Sequence, residues 1–125
     1  MKNLNKLYWL KKEKVQIENQ IKELTVLSTV AMDGTPSGHS VSSPVERFSV
    51  RLERLMEKLQ QKRDEILAET ERIENYIENI EDAEIRLIAR KRFIDNKTYQ
   101  VIGDEIYTDG STVRKKLKRF FESEE

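Results

Sequence analysis

The chain has 125 residues, of which 37% are charged and 7% aromatic, and its mean hydropathy is −0.73. Such a composition is too polar for one large core, whereas the long apolar periodicities argue against disorder, so we expect an all-α protein of extended helices with narrow apolar seams. The absence of cysteine excludes disulfides and thiolate metal sites. The mixed polar start predicts neither a signal peptide nor a membrane span, and we expect a cytoplasmic protein.

The formal net charge of zero hides an uneven distribution. Residues 1–27 carry six lysines against three glutamates, and residues 45–81 carry seven basic against ten acidic side chains. Residues 82–125 carry ten basic against nine acidic side chains. A neutral total argues against a protein that coats nucleic acid without selectivity, but it allows a local basic surface.

The first predicted helix runs from about Leu4 to Leu27. Its seam repeats in steps of three and four residues, with Lys14 at the one position that is not apolar; the apolar members are Leu7, Leu10, Ile17, Ile21 and Leu24. A seam of this kind needs a partner helix. Tyr8 and Trp9 beside this seam could form an exposed contact patch, but we expect them to pack on the same pair of helices.

Residues 28–43 are predicted to form a linker. They contain five serines, two glycines and a proline, and their apolar residues show no helical periodicity. Ser43, Pro44 and Glu46 then have the pattern of a helix start, with a cap, a first-turn proline and a capping-box glutamate. The second helix extends from Pro44 to about Ile80, which corresponds to ~55 Å.

The first helix is expected to fold back on the beginning of the second as an antiparallel hairpin or coiled coil. Because it is shorter, the stretch from Ile66 to Ile80 needs another partner, and a second copy of the chain is the simplest source. We therefore predict a homodimer whose contacts come from the seam of the second helix, namely Leu59, Ile66, Ile73, Tyr76 and Ile80. Residues 1–81 form the predicted dimerisation region, and residues 82–125 a second domain.

Three shorter helices are predicted in residues 82–125. The third helix, residues 82–94, places Ile85, Ile88, Ala89 and Phe93 on one face, and residues 95–97 break it. Thr98 is expected to cap the fourth helix. The fourth helix should bury Val101, Ile102 and Ile106, and the fifth should turn Val113 and Leu117 inward.

The fifth helix is the strongest functional signal in the chain. Five of the six residues from Arg114 to Arg119 are basic, and the exception, Leu117, lies on the apolar face. Two helices joined by a short turn, with a cationic outer face on the second, are typical of a helix-turn-helix that enters the DNA major groove. The alternative interpretation is a solvated basic helix that covers a bundle.

Other candidate sites are weaker. The run of Arg86, Arg90, Lys91 and Arg92 is typical of a solvated helix face, although it could contact a DNA backbone. His39 has no second histidine or cysteine nearby, so we expect no metal site. No catalytic triad, phosphate-binding loop or pair of carboxylates in apolar surroundings can be assembled, and we expect a protein that is not an enzyme and has no cofactor.

Three stretches, 83–95, 98–106 and 111–119, resemble the DNA-reading region at the C-terminus of bacterial sigma factors, a pattern shared by phage regulators of the ArpU/RinA-like type. With Tyr8-Trp9-Leu10 and the linker before Pro44, the whole chain resembles a family of uncharacterised phage proteins from streptococci and related bacteria. The resemblance implies a phage or prophage transcriptional regulator. It departs at Ile106-Tyr107, where sigma-like turns often carry Leu-Gly.

These observations predict a protein that binds double-stranded DNA. We assign base-edge contact to Ser111, Thr112, Lys115 and Lys118, with Gly110 allowing close approach. Phosphate contact is assigned to Arg114, Arg119, Arg90 and the Thr98 end of the fourth helix. Two alternatives are a DNA-packaging component similar to a small terminase subunit, and an interaction module that contacts RNA polymerase.

Overall fold

The computed structural model describes residues 4–32 and 44–124, with the backbone alone in residues 28–32. Within these ranges every regular element is helical. The helices are α1 (Lys6–Met32), α2 (Pro44–Glu78), α3 (Ala83–Ala89), α4 (Tyr99–Glu105) and α5 (Gly110–Glu124), and α3 continues into a π-helical turn over Arg90–Ile94. This composition confirms the all-α class predicted from the sequence.

The two long helices begin and end close to the predicted positions. α2 starts at Pro44, which suits a first helical position because proline has no amide hydrogen to leave unpaired. α1 continues to Met32, so it includes the first five residues of the predicted linker. The remainder of that linker, with the predicted cap Ser43, lies outside the described residues.

The chain divides into two compact units, which we call the long-helix unit (residues 10–65) and the C-terminal unit (residues 1–9 and 66–125). In the long-helix unit Leu10, Leu55 and Leu59 are buried. Lys62, which interrupts the apolar seam, lies 3.5 Å from the carboxylate of Glu13 and 3.6 Å from that of Glu65. The contact with Glu13 joins α1 to α2, and it gives the lysine a partner where an apolar side chain was expected.

In the C-terminal unit, one apolar core joins the start of α1, the end of α2 and the three shorter helices. Its buried members include Leu4, Leu7, Ile73, Ile77, Ile80, Ile85, Ile88, Ala89, Phe93, Ile94, Ile102, Val113 and Leu117. The hydroxyl of Tyr76 also donates to the carboxylate of Glu124, which ties α2 to the end of α5. The end of α2 therefore finds its packing partner within the same chain.

This core bears on the residues predicted to dimerise. Ile73 and Ile80 are buried in the C-terminal unit, Ile66 and Tyr76 are partly buried against its core, and Leu59 is buried in the long-helix unit. The helical partner that the sequence pattern assigned to a second copy is thus supplied by the chain itself. Dimerisation stays a prediction. A dimer interface would have to use side chains other than Leu59, Ile73 and Ile80, which are buried within the chain.

The turn from α2 to α3 is held by hydrogen bonds of two kinds. Asp82 caps α3, since its Oδ1 accepts from the backbone N–H groups of Glu84 at 2.9 Å and Ile85 at 3.3 Å. Arg86 then donates to the carbonyls of Ile80 at 2.6 Å and Glu81 at 3.0 Å. The guanidinium satisfies carbonyl groups that the end of α2 leaves without a helical partner.

Two predicted core positions are wrong. Val101 is 43% exposed, because Ile102 and Gly103 take the inward side of the short helix α4 and Val101 lies about 100° from Ile102 around the axis. Trp9 is 63% exposed, because Leu7 and Leu10 take the inward side of α1. Trp9 instead meets Tyr8 edge to face, with ring centroids 5.0 Å apart.

The seam of α2 contains a buried acid, Glu69, which is 6% exposed. Arg72 grips it with two hydrogen bonds, from Nε at 2.9 Å and from the terminal guanidinium nitrogen at 2.6 Å. These bonds hold the pKa of the Glu69 carboxyl below its ordinary value, against the opposing effect of burial. A fork of this kind is the strong, charge-assisted type, so it stabilises a carboxylate in an otherwise apolar seam.

Glu69→Gln should lower the free energy of unfolding at pH 7 by about 1–2 kcal/mol, because the buried site loses a charge-assisted pair. The carboxyl pKa is lower in the folded than in the unfolded chain, so its stabilisation is present above the unfolded-state pKa and is lost as pH falls through the folded-state value. The difference between wild type and variant should therefore shrink below about pH 4. Urea unfolding at several pH values measures it, with exposed Glu71→Gln as control. A difference that stays constant with pH would contradict this account.

Candidate nucleic-acid interface

The helices α4 and α5 are joined by a short connection, residues 106–109. Thr98 caps α4 as predicted, since its Oγ1 accepts from the backbone N–H of Val101 at 3.2 Å. The N–H of Thr108 donates to the carbonyl of Gly103 at 2.8 Å and closes the connection onto α4. The direction in which α5 leaves this connection decides where its basic side chains point.

Two glycines let the backbone of α4 lie close to the connection and to the start of α5. A Cβ on Gly103 would lie 2.6 Å from the carbonyl oxygen of Thr108, and one on Gly110 would lie 2.9 Å from the backbone nitrogen of Gln100. Both distances are too short for a side-chain carbon, and both neighbouring atoms belong to the backbone and cannot swing away. The small size of Gly110 therefore serves the contact between helices, in addition to any approach to a ligand.

The connection also contains a strained residue. Tyr107 has φ of 61°, in the left-handed region, and its side chain is 96% exposed. The left-handed conformation that glycine provides in sigma-like turns is thus adopted here by tyrosine, at an ordinary cost of about 1–2 kcal/mol for a residue with a Cβ. Asn96, two residues after the π-helical turn, has φ of 56°, but asparagine tolerates this region better.

The inward face of α5 is fixed by two fully packed side chains, Val113 and Leu117, with relative exposures of 0% and 2%. Ser111, Lys115 and Lys118 follow one another in steps of four and three residues on the opposite face, and all are exposed. Burial of Val113 and Leu117 prevents α5 from rotating about its axis. The outward direction of the three polar side chains follows from the core.

Several basic side chains of the C-terminal unit are used within the fold. Lys116 lies 2.6 Å from the carboxylate of Glu84, which links α5 to α3. Arg92 stacks over the ring of Tyr99 with its guanidinium carbon 4.2 Å from the centroid. It also donates to the carbonyl of Lys97 at 3.0 Å. The fold uses these cations, and it also uses Arg86 in the middle of α3.

Glu105 pairs with two further lysines. Its carboxylate lies 2.5 Å from Lys91 and 2.6 Å from Lys97, so it joins the π-helical turn and the following loop to the end of α4. Hydrogen bonds from Lys91 and then Lys97 lower the pKa of Glu105, and the bond to Glu105 raises the pKa of Lys97. All three groups are solvent-accessible, and the carboxylate reduces the charge of this cluster from +2 to +1 while it engages both ammonium groups.

Among residues 82–125, five cations are exposed and have no side-chain ion pair or hydrogen bond to any described residue: Arg90, Arg114, Lys115, Lys118 and Arg119. Four of them lie on α5 within six residues. We call this set of four, together with Ser111, the α5 basic face. Sequence alone could not distinguish these free cations from the paired Lys116, Lys91 and Arg92, because the pairing depends on which acids and aromatic rings lie nearby in the fold.

The remaining predicted site residues have other surroundings. Thr98 is exposed, but its hydroxyl already accepts the capping bond of α4. Gly110 and Thr112 are partly covered. Arg90 is exposed at the start of the π-helical turn and is not part of the α5 basic face. The structure therefore groups the α5 residues and places Thr98 and Arg90 on separate elements.

A shallow cavity of about 480 Å³ lies between the beginnings of α4 and α5, and it adds a residue that the sequence did not single out. Gln100 lines this cavity beside Ser111 and Arg114, and its side chain is exposed. A glutamine amide can donate and accept at once, as base edges require. Only its place between the two helix starts distinguishes it from other polar residues. Asp104 and Asp109 line the same cavity and disfavour a phosphate there.

The part of the chain that the structure describes contains no cluster of histidine, aspartate and glutamate side chains placed to hold a metal ion, and His39 lies outside it. Across residues 4–32 and 44–124, no helix combines the length and apolar content needed to cross a bilayer. Comparisons of the chain with models of protein families, with curated proteins and with solved structures gave no match. The interface is therefore interpreted from its own residues.

Gly103→Ala should lower the free energy of unfolding by about 1–3 kcal/mol, because the new carbon must push the backbone of Thr108 away from α4. Alanine in a helix interior otherwise stabilises by up to about 1 kcal/mol relative to glycine, so the sign of the change identifies the close contact. Chemical denaturation measures it, with exposed Asp104→Ala on the same helix as the control. A variant as stable as wild type would show that the two backbones are not tightly packed.

Tyr107→Gly should raise the free energy of unfolding by about 0.5–1 kcal/mol, because glycine accepts the left-handed conformation and the exposed ring contributes little packing. Tyr107→Ala is the matched control, since it removes the ring but keeps the Cβ that causes the strain. Thermal and urea unfolding of the three proteins would test this. Equal stabilisation by alanine and glycine would locate the effect in the ring instead of the backbone.

Proposed function

We propose that this chain binds double-stranded DNA through α5, with α4 and α5 acting as a helix-turn-helix. The observation that carries the proposal is the α5 basic face, which has four exposed cations without a partner among the described residues, on the helix whose opposite side is fixed in the core. The other basic side chains of residues 82–125, apart from Arg90, are held by acids, by an aromatic ring or by backbone carbonyls. The unpaired set is therefore available to a polyanionic partner.

Duplex DNA fits this face better than a merely solvated helix does. The α5 basic face contains three like-charged pairs at spacings of three or four residues, an arrangement that weakens an isolated helix: Arg114 with Lys118, Lys115 with Lys118, and Lys115 with Arg119. A phosphate backbone removes this repulsion and releases counterions, which gives an affinity that falls with salt. The helix is also narrow and polar on its outer side, as a helix in the major groove must be.

Within this proposal the roles follow from position along α5. Ser111, Lys115 and Lys118 point outward and are assigned to base edges, together with Thr112 at the margin. Arg114 on the flank of α5, Arg119 further along the same helix and Arg90 on the neighbouring element are assigned to phosphates. Gln100 is added to the base-edge set. Gly110 keeps α4 and α5 close together. The N-terminal end of α4 at Thr98 is assigned to a phosphate, although the Thr98 hydroxyl already caps the helix.

The biological role that fits best is transcriptional regulation in a phage or prophage, by the sequence resemblance described above. A homodimer would present two copies of α5 to half-sites about 34–36 Å apart, one turn of the DNA helix. Because Ile73 and Ile80 are covered within the chain, such a dimer has to use other surfaces. RNA polymerase is a further candidate partner of the regulator.

Lys115→Ala with Lys118→Ala should weaken binding to duplex DNA at least tenfold, or about 1.4 kcal/mol, and lower the slope of log K against log salt by about 2. Fluorescence anisotropy with a labelled duplex over a salt series measures both. Lys22→Ala with Arg63→Ala removes two exposed charges from the long-helix unit and is the matched control. Lys116→Ala should leave the affinity within about twofold of the wild-type value. Lys116 is paired with Glu84 and contributes no free cation to the face.

Two results would contradict the proposal. One is the absence of salt-dependent binding by the folded wild-type protein. The other is an equal effect of the α5 variant and the long-helix control, which would reduce the binding to general charge. Mass measurement in solution separates the regulator from a packaging component, because a ring-sized oligomer favours the latter and a dimer the former.

A further inference from the structure

The long-helix unit carries its own row of exposed cations. Arg51, Arg54 and Lys58 follow in steps of three and four residues on α2, so they lie within a sector of about 60° around the helix axis. All three side chains are exposed. We call these three residues the α2 stripe. Arg47 lies one turn before it on the same side.

The α2 stripe has no electrostatic partner among the described residues, since none of its three side chains makes an ion pair or hydrogen bond to one of them. Side chains spaced three or four residues apart are neighbours on a helix. Glu57, three residues from Arg54, is the one acid with such a spacing from any of the three. By contrast Lys62, one turn further along α2, pairs with both Glu13 and Glu65.

The arrangement is unfavourable for the helix by itself. Arg54 and Lys58 are four residues apart, and Arg51 and Arg54 three apart, so the like charges repel by about 0.2–0.5 kcal/mol per pair. Alternating signs would stabilise the same stretch better, and the flanks of α2 do alternate, as with Lys62 and Glu65. Helix stability therefore does not account for the stripe, whereas an external anion does.

We infer that the α2 stripe is a second phosphate-binding surface, which contacts the backbone of duplex DNA apart from the face read by α5. The inference rests on the proposed function. Arg51 and Lys58 are separated by about 10 Å along the helix axis. Each strand of duplex DNA carries one phosphate per 3.4 Å of helix axis, so this length spans the axial rise of about three phosphates of one strand. Two of the three are arginines, whose planar fork suits phosphate oxygens.

A polyanion fits this surface better than a folded protein does. The shallow cavity beside the stripe, of about 390 Å³, is lined by Glu46, Arg47, Val50, Arg51 and Arg54. Val50 is its one apolar side chain, and it contains no aromatic ring. Protein interfaces depend on buried aromatic or apolar anchors at their centre, with charges at the rim. The stripe has the rim chemistry without the anchors.

Phosphate contacts add affinity without reading sequence. The stripe should therefore strengthen binding to all duplexes equally, while the α5 basic face supplies any preference among them. Each unit alone offers a small set of free cations. If both units contact DNA, the neutral chain brings a larger number of cations to the duplex.

The test is a triple variant, Arg51→Ala with Arg54→Ala and Lys58→Ala, in the full chain. Binding is measured by anisotropy over a salt series with two unrelated duplexes of about 30 base pairs, roughly three helical turns. The triple variant should lower the salt slope by about 2–3 and weaken binding to both duplexes by the same factor. The matched control removes three charges of the same unit that lie outside the stripe: Lys12→Ala with Lys22→Ala and Arg63→Ala. Lys12 and Lys22 are on α1, and Arg63 is on a different side of α2, about 140° around the axis from Lys58. Circular dichroism establishes that each variant is folded.

The inference is overturned if the triple variant keeps the slope and affinity of the control while Lys115→Ala with Lys118→Ala still weakens binding; the proposed function then stands alone. It is also overturned if the triple variant changes the affinity for one duplex and not the other, since that would indicate sequence reading. If the wild-type protein binds neither duplex, both proposals fall together. Loss of slope in the triple variant with equal effect on both duplexes supports the stripe.

Discussion

The close contact between the backbones of α4 and α5 is the constraint on which the rest of the C-terminal unit depends. Gly103 faces the carbonyl of Thr108, and Gly110 faces the amide nitrogen of Gln100, at distances that no side-chain carbon could occupy. With the helices this close, Val113 and Leu117 reach the core and Ile102 is fully buried between them and the other helices. The outward face of α5 is a consequence of this packing, as is the strained conformation of Tyr107 in the connection.

The second organising feature is the division of the basic side chains. Glu105 pairs with Lys91 and Lys97, and Glu84 pairs with Lys116. Arg92 is held on Tyr99. Among residues 82–125, the exposed cations without such a partner are concentrated on α5, and a row of three further exposed cations lies on α2 in the long-helix unit. A chain with zero net charge can thus present strongly basic surfaces, because its acids are placed beside those cations that the fold uses. This is the physical basis of both proposals.

Much of this fold could be predicted from local signals. The cap at Thr98, the helix start at Pro44 and the buried residues of α3 follow from residue types and spacing, and the structure confirms them. Properties that depend on tertiary neighbours could not be predicted. The pattern could not show that the end of α2 packs on the chain's own C-terminal helices, or that Val101 would be displaced by Ile102. The separation of free from paired cations also required the positions of acids that lie far away in sequence, such as Glu84 beside Lys116.

The most direct test of the central claim is a titration of the isotope-labelled chain with duplex DNA, followed by amide and side-chain NMR signals. The account predicts that the largest shifts occur at Ser111, Lys115 and Lys118, and that the signals of Val113 and of the Lys116–Glu84 pair move little. This result would show that the free face of α5 meets the DNA while its packed side keeps its contacts. Shifts spread evenly over the basic residues, or concentrated away from α5, would contradict it.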